Sequence, residues 1–172
     1  MIYEPAEDSF LIKKYIKYYA KGKILDMGAG SGILADEALK YSKDVLAADI
    51  DQEVINKLNI KKIKSDLFEN IKEKFDLIIF NPPYLPKDKM EPKETALATT
   101  GGKKGYELIK RFFKQVKNHL NKNGKILIVF SSLTNKAKVD QTIKENNFKF
   151  RLLEKKKIDF EELYCYLLTK SA

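Results

Sequence analysis

The ten residues KILDMGAGSG, Lys23 to Gly32, decide the fold of this chain. The first five form a short, mainly apolar run of strand length, and three glycines then lead into a segment with helical periodicity. Glycines let the backbone turn tightly and let a ligand approach the main chain. By itself such a loop also fits a plain tight turn, but its place between a strand and a helix predicts a ligand-binding loop of an α/β fold.

Short strand-like runs alternate with helical ones along the rest of the chain. We predict strands at residues 23–27, 44–49, 60–64, 75–80, 125–130, 148–154 and 160–168. We predict helices at residues 6–20, 31–41, 51–58, 104–121 and 134–145, and the fourth helix is expected to close at Asn123-Gly124, a C-cap signal. This alternation predicts a Rossmann-like α/β domain with a mostly parallel seven-stranded sheet, helices on both faces and a final antiparallel strand pair.

Composition limits the class of protein. The chain has 172 residues, of which 44% are hydrophobic, enough for one domain with a real core. One Cys excludes an intramolecular disulfide framework, and one Cys with one His gives no reason to expect a metal site. Early acidic residues and strand-sized apolar runs argue against a signal peptide and a membrane span, so we expect a cytoplasmic protein. Residues 1–172 are expected to form a single domain, with 1–22 as an N-terminal cap helix segment and 84–103 as a substrate-side loop.

The charge is distributed unevenly along the chain. The sequence has 33 Lys and Arg against 24 Asp and Glu, a net charge of +9. Residues 1–83 hold 13 basic and 14 acidic residues, a net of −1, whereas residues 84–172 hold 20 and 10, a net of +10. This asymmetry fits either an acidic or nucleic-acid partner near the second half or lysine-rich solvation.

The spacing of the glycine loop indicates which ligand it binds. A dinucleotide fingerprint has a third glycine where this chain has Ile33, and the loop reads G-x-G-x-G instead. Asp26, two residues before Gly28, places a carboxylate where it repels a pyrophosphate and attracts an amino group. The loop from Gly28 through Gly30 is therefore predicted to bind S-adenosylmethionine, whose methionine end carries an ammonium.

Further acidic residues follow strands at the same predicted edge of the sheet. Asp49 ends the second strand, where α/β folds hold a ribose diol with a carboxylate, and Ile50 is predicted to lie against the adenine. Asp66 follows the third strand, where it is predicted to accept a hydrogen bond from the adenine amino group. Each acid has an alternative role as a helix cap or turn residue, which we prefer only for Asp51.

Asn81-Pro82-Pro83-Tyr84 follows the fourth strand and is predicted to carry the chemistry. Methyl transfer from a sulfonium is an in-line displacement, so positioning matters more than a strong base. The side-chain oxygen of Asn81 and the carbonyl of Pro82 offer two acceptors for the N–H bonds of a planar nitrogen. The prolines stiffen the turn, and Tyr84 supplies a flat face for stacking. The motif favours methylation of a planar nitrogen but does not select which one.

These motifs together resemble the HemK/PrmC family, which methylates the glutamine amide in the Gly-Gly-Gln loop of translation release factors. The likeness rests on YEPAEDS at residues 3–9, DMGAGSG, Ala48-Asp49-Ile50, Ser65-Asp66-Leu67 and NPPY, and its opening is similar to the short archaeal and eukaryotic branch. It implies a class I S-adenosylmethionine-dependent methyltransferase, with a release factor as substrate and its glutamine held by Asn81 to Tyr84. It also implies that the cofactor is contacted by Ser9, Asp26, Gly28, Asp49, Asp66, Leu67 and Asn81.

The resemblance also bears on partners. Bacterial members carry an extra N-terminal helical domain, whereas 22 residues precede the first predicted strand here, so substrate docking is expected to fall to the core, the 84–103 loop or a second protein. Eukaryotic members of the short branch work with a small zinc-binding activator protein, which is therefore an expected partner. Three alternatives stay open: methylation of an exocyclic base amine such as that of adenine, methylation of a protein lysine, and a cofactor- or RNA-binding scaffold.

Two residues of reactive types are interpreted as structural. His119 lies near the end of a predicted helix, where a cation suits the helix dipole. Cys165 lies in an alternating apolar strand and is predicted to pack in the core.

Overall fold

A computed structural model describes residues 5–83 and 105–172 of the chain. The strands within these residues are β1 (Lys23–Met27), β2 (Asp44–Asp49), β3 (Lys62–Lys64), β4 (Phe75–Phe80), β5 (Leu120–Ser131), β6 (Phe148–Ile158) and β7 (Glu161–Lys170). The α-helices are α1 (Glu7–Tyr19), α2 (Ile33–Leu39), α3 (Gln52–Lys57), α4 (Glu107–Gln115) and α5 (Lys136–Glu145). The predicted bounds of β1, β2 and β4 are confirmed to the residue.

The seven strands form one sheet in the order β3-β2-β1-β4-β5-β7-β6. The first five strands run parallel, and β7 is antiparallel to both of its neighbours. The predicted α/β fold class, with its mostly parallel sheet and antiparallel final pair, is therefore confirmed. The chain moves outward from β1 to β3 and then returns to place β4 beside β1, so the direction of winding reverses between these two strands. Ligands of open α/β sheets bind at the carboxyl ends of the strands at such a point.

Buried aromatic side chains pack around the carboxyl end of β4. Phe80, the last residue of β4, stacks on Phe112 of α4 with ring centroids 4.1 Å apart. Phe112 meets Phe113 edge to face at 5.2 Å, and Phe113 reaches Phe148 of β6 at 5.8 Å. All four rings are buried. The end of β4 is thus fixed to a helix and to the far side of the sheet by contacts of the kind that stabilise protein cores.

The predicted helix end at Asn123-Gly124 is wrong. The helical segment stops earlier, with α4 followed by a 3-10 turn over Val116–His119, and β5 begins at Leu120. A Cβ on Gly124 would lie 2.9 Å from the Phe75 carbonyl oxygen, so the glycine allows a close backbone approach where the β4–β5 pairing is irregular. From the sequence alone, a glycine that allows a close strand contact cannot be distinguished from a glycine that caps a helix.

The final two strands are longer than predicted. Residues 155–157, which lie between the two predicted strands, extend β6 instead, and Lys155 and Lys156 pair with Glu162 and Glu7. Among the described helices, none has the length and apolar character needed to cross a bilayer.

Candidate active site

The glycine loop after β1 lies where the direction of winding reverses, between β1 and β4, and its backbone is accessible to a ligand. Gly28 and Gly30 have φ angles of +72° and +54°, and a Cβ added to either would meet no other atom within 4 Å. The amides of Gly28 and Ala29 donate to the Ala48 carbonyl oxygen at 2.8 and 2.9 Å, which ties the loop to β2. The left-handed backbone, rather than crowding, requires glycine here, and the space above the loop is free for a ligand.

Asp26 is a buried carboxylate with unused hydrogen-bonding capacity. Its Oδ2 accepts from the Ala35 amide at 3.0 Å, whereas its buried Oδ1 has no hydrogen-bond partner within the part of the chain that the structure describes. Burial, with smaller contributions from the nearby Asp49 and Asp36 carboxylates, raises the pKa of Asp26 to about 7 against the opposing effect of the Ala35 amide bond. A buried acceptor in this state is suited to a cationic ligand group, whose charge would favour the ionised carboxylate.

Asp49 shapes the loop from the end of β2. Its Oδ2 accepts from the Gly30 amide at 3.1 Å and its Oδ1 from the Asp51 amide at 2.9 Å. Burial raises its pKa, and these amide bonds oppose the rise. Asp51 accepts from the Glu53 amide at 2.9 Å as the N-cap of α3, which confirms its predicted structural role. Ile50, 45% exposed, presents an apolar surface beside Asp49.

Asp66 has a partner that the sequence did not indicate. Arg111 of α4 donates to its Oδ2 at 3.0 Å, and the two residues are 45 positions apart in the chain. The next residue, Leu67, is buried with a φ of +50°, and the Ser65 hydroxyl donates to its carbonyl oxygen at 2.6 Å. The turn after β3 is therefore fixed by the Arg111–Asp66 contact and by the Ser65 hydrogen bond, and the Asp66 side chain lies at the surface of the site.

Asn81 follows β4 and meets the first helix. Its Nδ2 donates to the Ser9 hydroxyl at 3.3 Å, while its buried Oδ1 accepts no hydrogen bond from any described residue. Pro82 is buried and Pro83 is half-buried. The structure thus places Ser9 against Asn81, a contact between residues 72 positions apart that sequence spacing could not reveal.

Several predicted features lie outside the described residues. These are Tyr84, the 84–103 loop, and Tyr3 and Glu4 of the YEPAEDS opening. Apart from Ser9, which lies in α1, the remaining predicted residues lie at or just after the carboxyl ends of four adjacent parallel strands, β3, β2, β1 and β4. They are Asp26, Gly28, Gly30, Asp49, Ile50, Asp66, Leu67, Asn81, Pro82 and Pro83.

The two residues interpreted as structural have structural contacts. The His119 ring stacks on Phe68 with centroids 4.3 Å apart, and its Nδ1 lies 3.0 Å from the Glu73 carbonyl oxygen. Cys165 is fully buried in β7, and burial raises the pKa of its thiol to about 12, which keeps it protonated and unreactive. Neither residue lies at the carboxyl ends of the parallel strands.

The donor set at this edge fits S-adenosylmethionine. Asp26 offers an unused carboxylate oxygen to the ammonium, the glycine loop offers unobstructed backbone, and Asp49 offers a carboxylate for a ribose diol. The fold and this edge together define a class I S-adenosylmethionine-dependent methyltransferase. The Methyltransferase small domain family matches residues 8–158. The chain belongs to this family and, within it, to the HemK/PrmC group.

Individual relatives agree with that assignment. A Methanocaldococcus jannaschii protein, named as a candidate protein N5-glutamine methyltransferase, is 37% identical over 94% of this chain and 88% of its own length. The human methyltransferase HEMK2 is 30% identical over 85% of this chain and 73% of its own. Among solved structures, the Mtq2–Trm112 complex of E. cuniculi, described as responsible for methylation of the eRF1 translation termination factor, matches with a TM-score of 0.82 at 24% identity. That match covers 99% of both chains and supports the fold.

Proposed function

We propose that this enzyme transfers a methyl group from S-adenosylmethionine to the side-chain amide nitrogen of a glutamine, in the Gly-Gly-Gln loop of a class I release factor. The observation that carries the proposal is the buried Asn81 Oδ1, which accepts no hydrogen bond from the described residues at the end of β4. The names of the relatives, glutamine methyltransferases of release factors among them, support the same substrate.

Asn81 and Pro82 would hold the amide by its two N–H bonds. A primary amide nitrogen is delocalised into its carbonyl and is a poor nucleophile. The Asn81 Oδ1 and the Pro82 carbonyl oxygen accept from this nitrogen, which orients it and raises its electron density. Pro82 and Pro83 restrict the turn, so little conformational freedom is lost on binding. Tyr84 is proposed to stack on the planar amide.

The cofactor would be held by residues at the carboxyl ends of the four strands. When bound, S-adenosylmethionine supplies an electrophilic methyl group on a sulfonium. Asp26 would bind the ammonium, Asp49 would bind the ribose diol, and Asp66 would accept from the adenine amino group. Ile50 and Leu67 would contact the adenine region, and the loop from Gly28 to Gly30 would allow close approach of the methionine part.

The test is a labelling experiment with a matched substrate. The protein is incubated with methyl-labelled cofactor and a release factor that carries either Gln or Ala in its Gly-Gly-Gln loop. We expect label on the Gln form alone. Equal labelling of both forms would reject the glutamine assignment, and transfer to RNA under the same conditions would favour a base amine instead.

A small activator protein is part of the proposal. The solved relative with a TM-score of 0.82 was determined as a complex with Trm112. We propose that this chain also acts with a small, zinc-binding partner, so the labelling assay is run with and without a Trm112-type protein. We further propose that residues 1–172 act as one methyltransferase domain, and that the enzyme works in the cytoplasm, where release factors meet ribosomes.

A further inference from the structure

We infer that Ser9 is a positioning residue that fixes the orientation of the Asn81 amide, and that Asp8 in turn fixes the Ser9 hydroxyl. This inference rests on the proposed function, because it concerns how Asn81 is set to accept from the substrate. It assigns Ser9 a different role from the cofactor contact that the family resemblance implies.

The orientation of Asn81 matters because its side chain has two chemically different ends. An amide oxygen aimed at the substrate accepts from the substrate N–H groups, whereas an NH₂ group in the same place would face another donor. A rotation of the amide by half a turn exchanges these ends with little change in shape. Productive binding therefore requires a contact that accepts from the Asn81 nitrogen.

Ser9 provides that contact. Its Oγ lies 3.3 Å from the Asn81 Nδ2, on the side opposite the unused oxygen. Ser9 is 3% exposed, so water does not compete freely for its hydroxyl. A serine hydroxyl is both a donor and an acceptor, however, so Ser9 alone would tolerate either orientation of the amide.

Asp8 removes this ambiguity. Its Oδ1 accepts from the Ser9 amide at 2.7 Å and lies 3.5 Å from the Ser9 Oγ, and Asp8 itself is 4% exposed. A carboxylate only accepts, so the hydroxyl proton is directed toward Asp8 and a lone pair is left for the Asn81 NH₂ group. The chain of polar contacts Asp8–Ser9–Asn81 therefore leaves the Asn81 oxygen on the free side.

The decisive experiment measures turnover and cofactor affinity separately. Ser9→Ala is expected to lower kcat on the release factor about tenfold, as expected for loss of one hydrogen bond in a buried site, with the Kd for S-adenosylmethionine changed less than about twofold. Ser9→Thr retains a hydroxyl and is expected to restore most of kcat. A matched control is Ser131→Ala, which removes a buried serine hydroxyl at the end of β5 whose contacts are Glu161 and the Leu133 amide.

A double variant tests the mechanism directly. In an Asn81→Asp background both side-chain ends are oxygens, so the orientation no longer matters and Ser9→Ala is expected to cause less than about a twofold further loss. Asp8→Asn offers a second route if Ser9→Ala folds poorly, and it is also expected to lower kcat without a matching change in cofactor Kd. Melting temperatures report the folding of each variant.

Three outcomes would overturn the inference. A Ser9→Ala enzyme with the wild-type kcat would show that the contact has no role in turnover. A loss confined to cofactor Kd would assign Ser9 to the cofactor instead. A full additive loss in the Asn81→Asp background would show that Ser9 acts independently of Asn81. Wild-type protein that fails to label the release factor would reject the proposed function itself, and this result is distinct from the other three.

Discussion

Buried polar groups of the two halves of the sheet differ in whether they have hydrogen-bond partners. In the β1–β4 half, Asp26 and Asn81 each keep a buried oxygen that no described residue satisfies. In the β5–β7 half, the Tyr166 hydroxyl donates to Asp140 at 2.8 Å and the Ser131 hydroxyl donates to Glu161 at 2.8 Å. Unsatisfied buried polar atoms cost stability, so Asp26 and Asn81 retain binding capacity at the expense of stability, whereas the Tyr166 and Ser131 hydrogen bonds stabilise the sheet.

The charges of the two halves differ in the same sense. Residues 1–83 carry a net charge of −1, with acidic side chains at the cofactor edge, and residues 84–172 carry +10. This charge difference predicts that the first half binds the cofactor and the substrate amide, whereas the basic second half attracts the body of a large substrate.

Loss of the Asn81 side chain is expected to have the largest effect. Asn81→Ala removes one of two proposed acceptors for the substrate amide, and we expect kcat to fall about 100- to 1000-fold. Cofactor Kd is expected to change far less, because Asp26 and Asp49 remain. Turnover on the release factor and calorimetric titration with S-adenosylmethionine measure the two quantities, and unchanged turnover would refute the assigned role.

Cofactor affinity is expected to depend on the protonation of Asp26. Its pKa of about 7 implies that the carboxyl is mostly neutral at pH 6, so a cationic ligand binds more weakly there. The ligand's own ammonium titrates near pH 8, so the comparison is between pH 6 and 7.5, where we expect Kd to improve about fivefold. Asp26→Asn should bind more weakly at both pH values and show no such improvement.

Ionisation of the Asp26 carboxyl, which should improve cofactor affinity, should lower the stability of the ligand-free protein. Because folding raises its pKa, the ionised form destabilises the ligand-free protein; this penalty is absent below about pH 4, grows between about pH 4 and 7, and is constant above. Asp26→Asn should therefore melt at a higher temperature than wild type at pH 8, with the difference closing toward pH 4. A variant that loses both affinity and stability would contradict this assignment.

The salt dependence of kcat/KM distinguishes electrostatic attraction of the substrate from lysine-rich solvation of the surface. If the basic second half attracts the substrate, kcat/KM for the intact release factor should fall about two- to threefold between 50 and 300 mM salt. A short Gly-Gly-Gln peptide serves as the control, and its kcat/KM should change less. Equal salt dependence for the two substrates would leave lysine-rich solvation as the explanation of the asymmetry.

Tyr166→Phe should have the smallest effect on turnover. The variant removes the hydrogen bond to Asp140, which keeps its ion pair with Lys136 at 2.6 Å. We expect a loss of about 1 kcal/mol in the free energy of unfolding with kcat and cofactor Kd unchanged. Denaturant unfolding and turnover measure the two, and a clear loss of kcat would show that the second half does more than support the site.

Local patterns predicted much of the fold. The strand before the glycine loop and the strand before Asn81 have their predicted bounds, because short apolar runs bounded by glycine or proline admit few other structures. Asn123-Gly124 was misread because its glycine serves a contact with Phe75, about fifty residues earlier, and no local pattern records that contact.

The site residues were predicted individually, but their contacts with one another were not. Strand ends placed Asp26, Asp49 and Asn81 at one edge, since parallel strands bring their carboxyl ends together. The Arg111–Asp66 ion pair and the Ser9–Asn81 hydrogen bond join segments that only the packing of α4 and α1 brings together. Those contacts are set by tertiary structure and have no signature in residue spacing.

The attachment of α1 has a consequence for how the enzyme matures on the ribosome. This helix is synthesised before the strands of the sheet, yet Lys14 and Tyr15 bond to Glu154, which lies about 140 residues later in the chain. These two bonds form only after β6 has been synthesised, whereas α1 can pack on α2 earlier. The position of α1 is therefore fully fixed only when the last strands of the domain have been made.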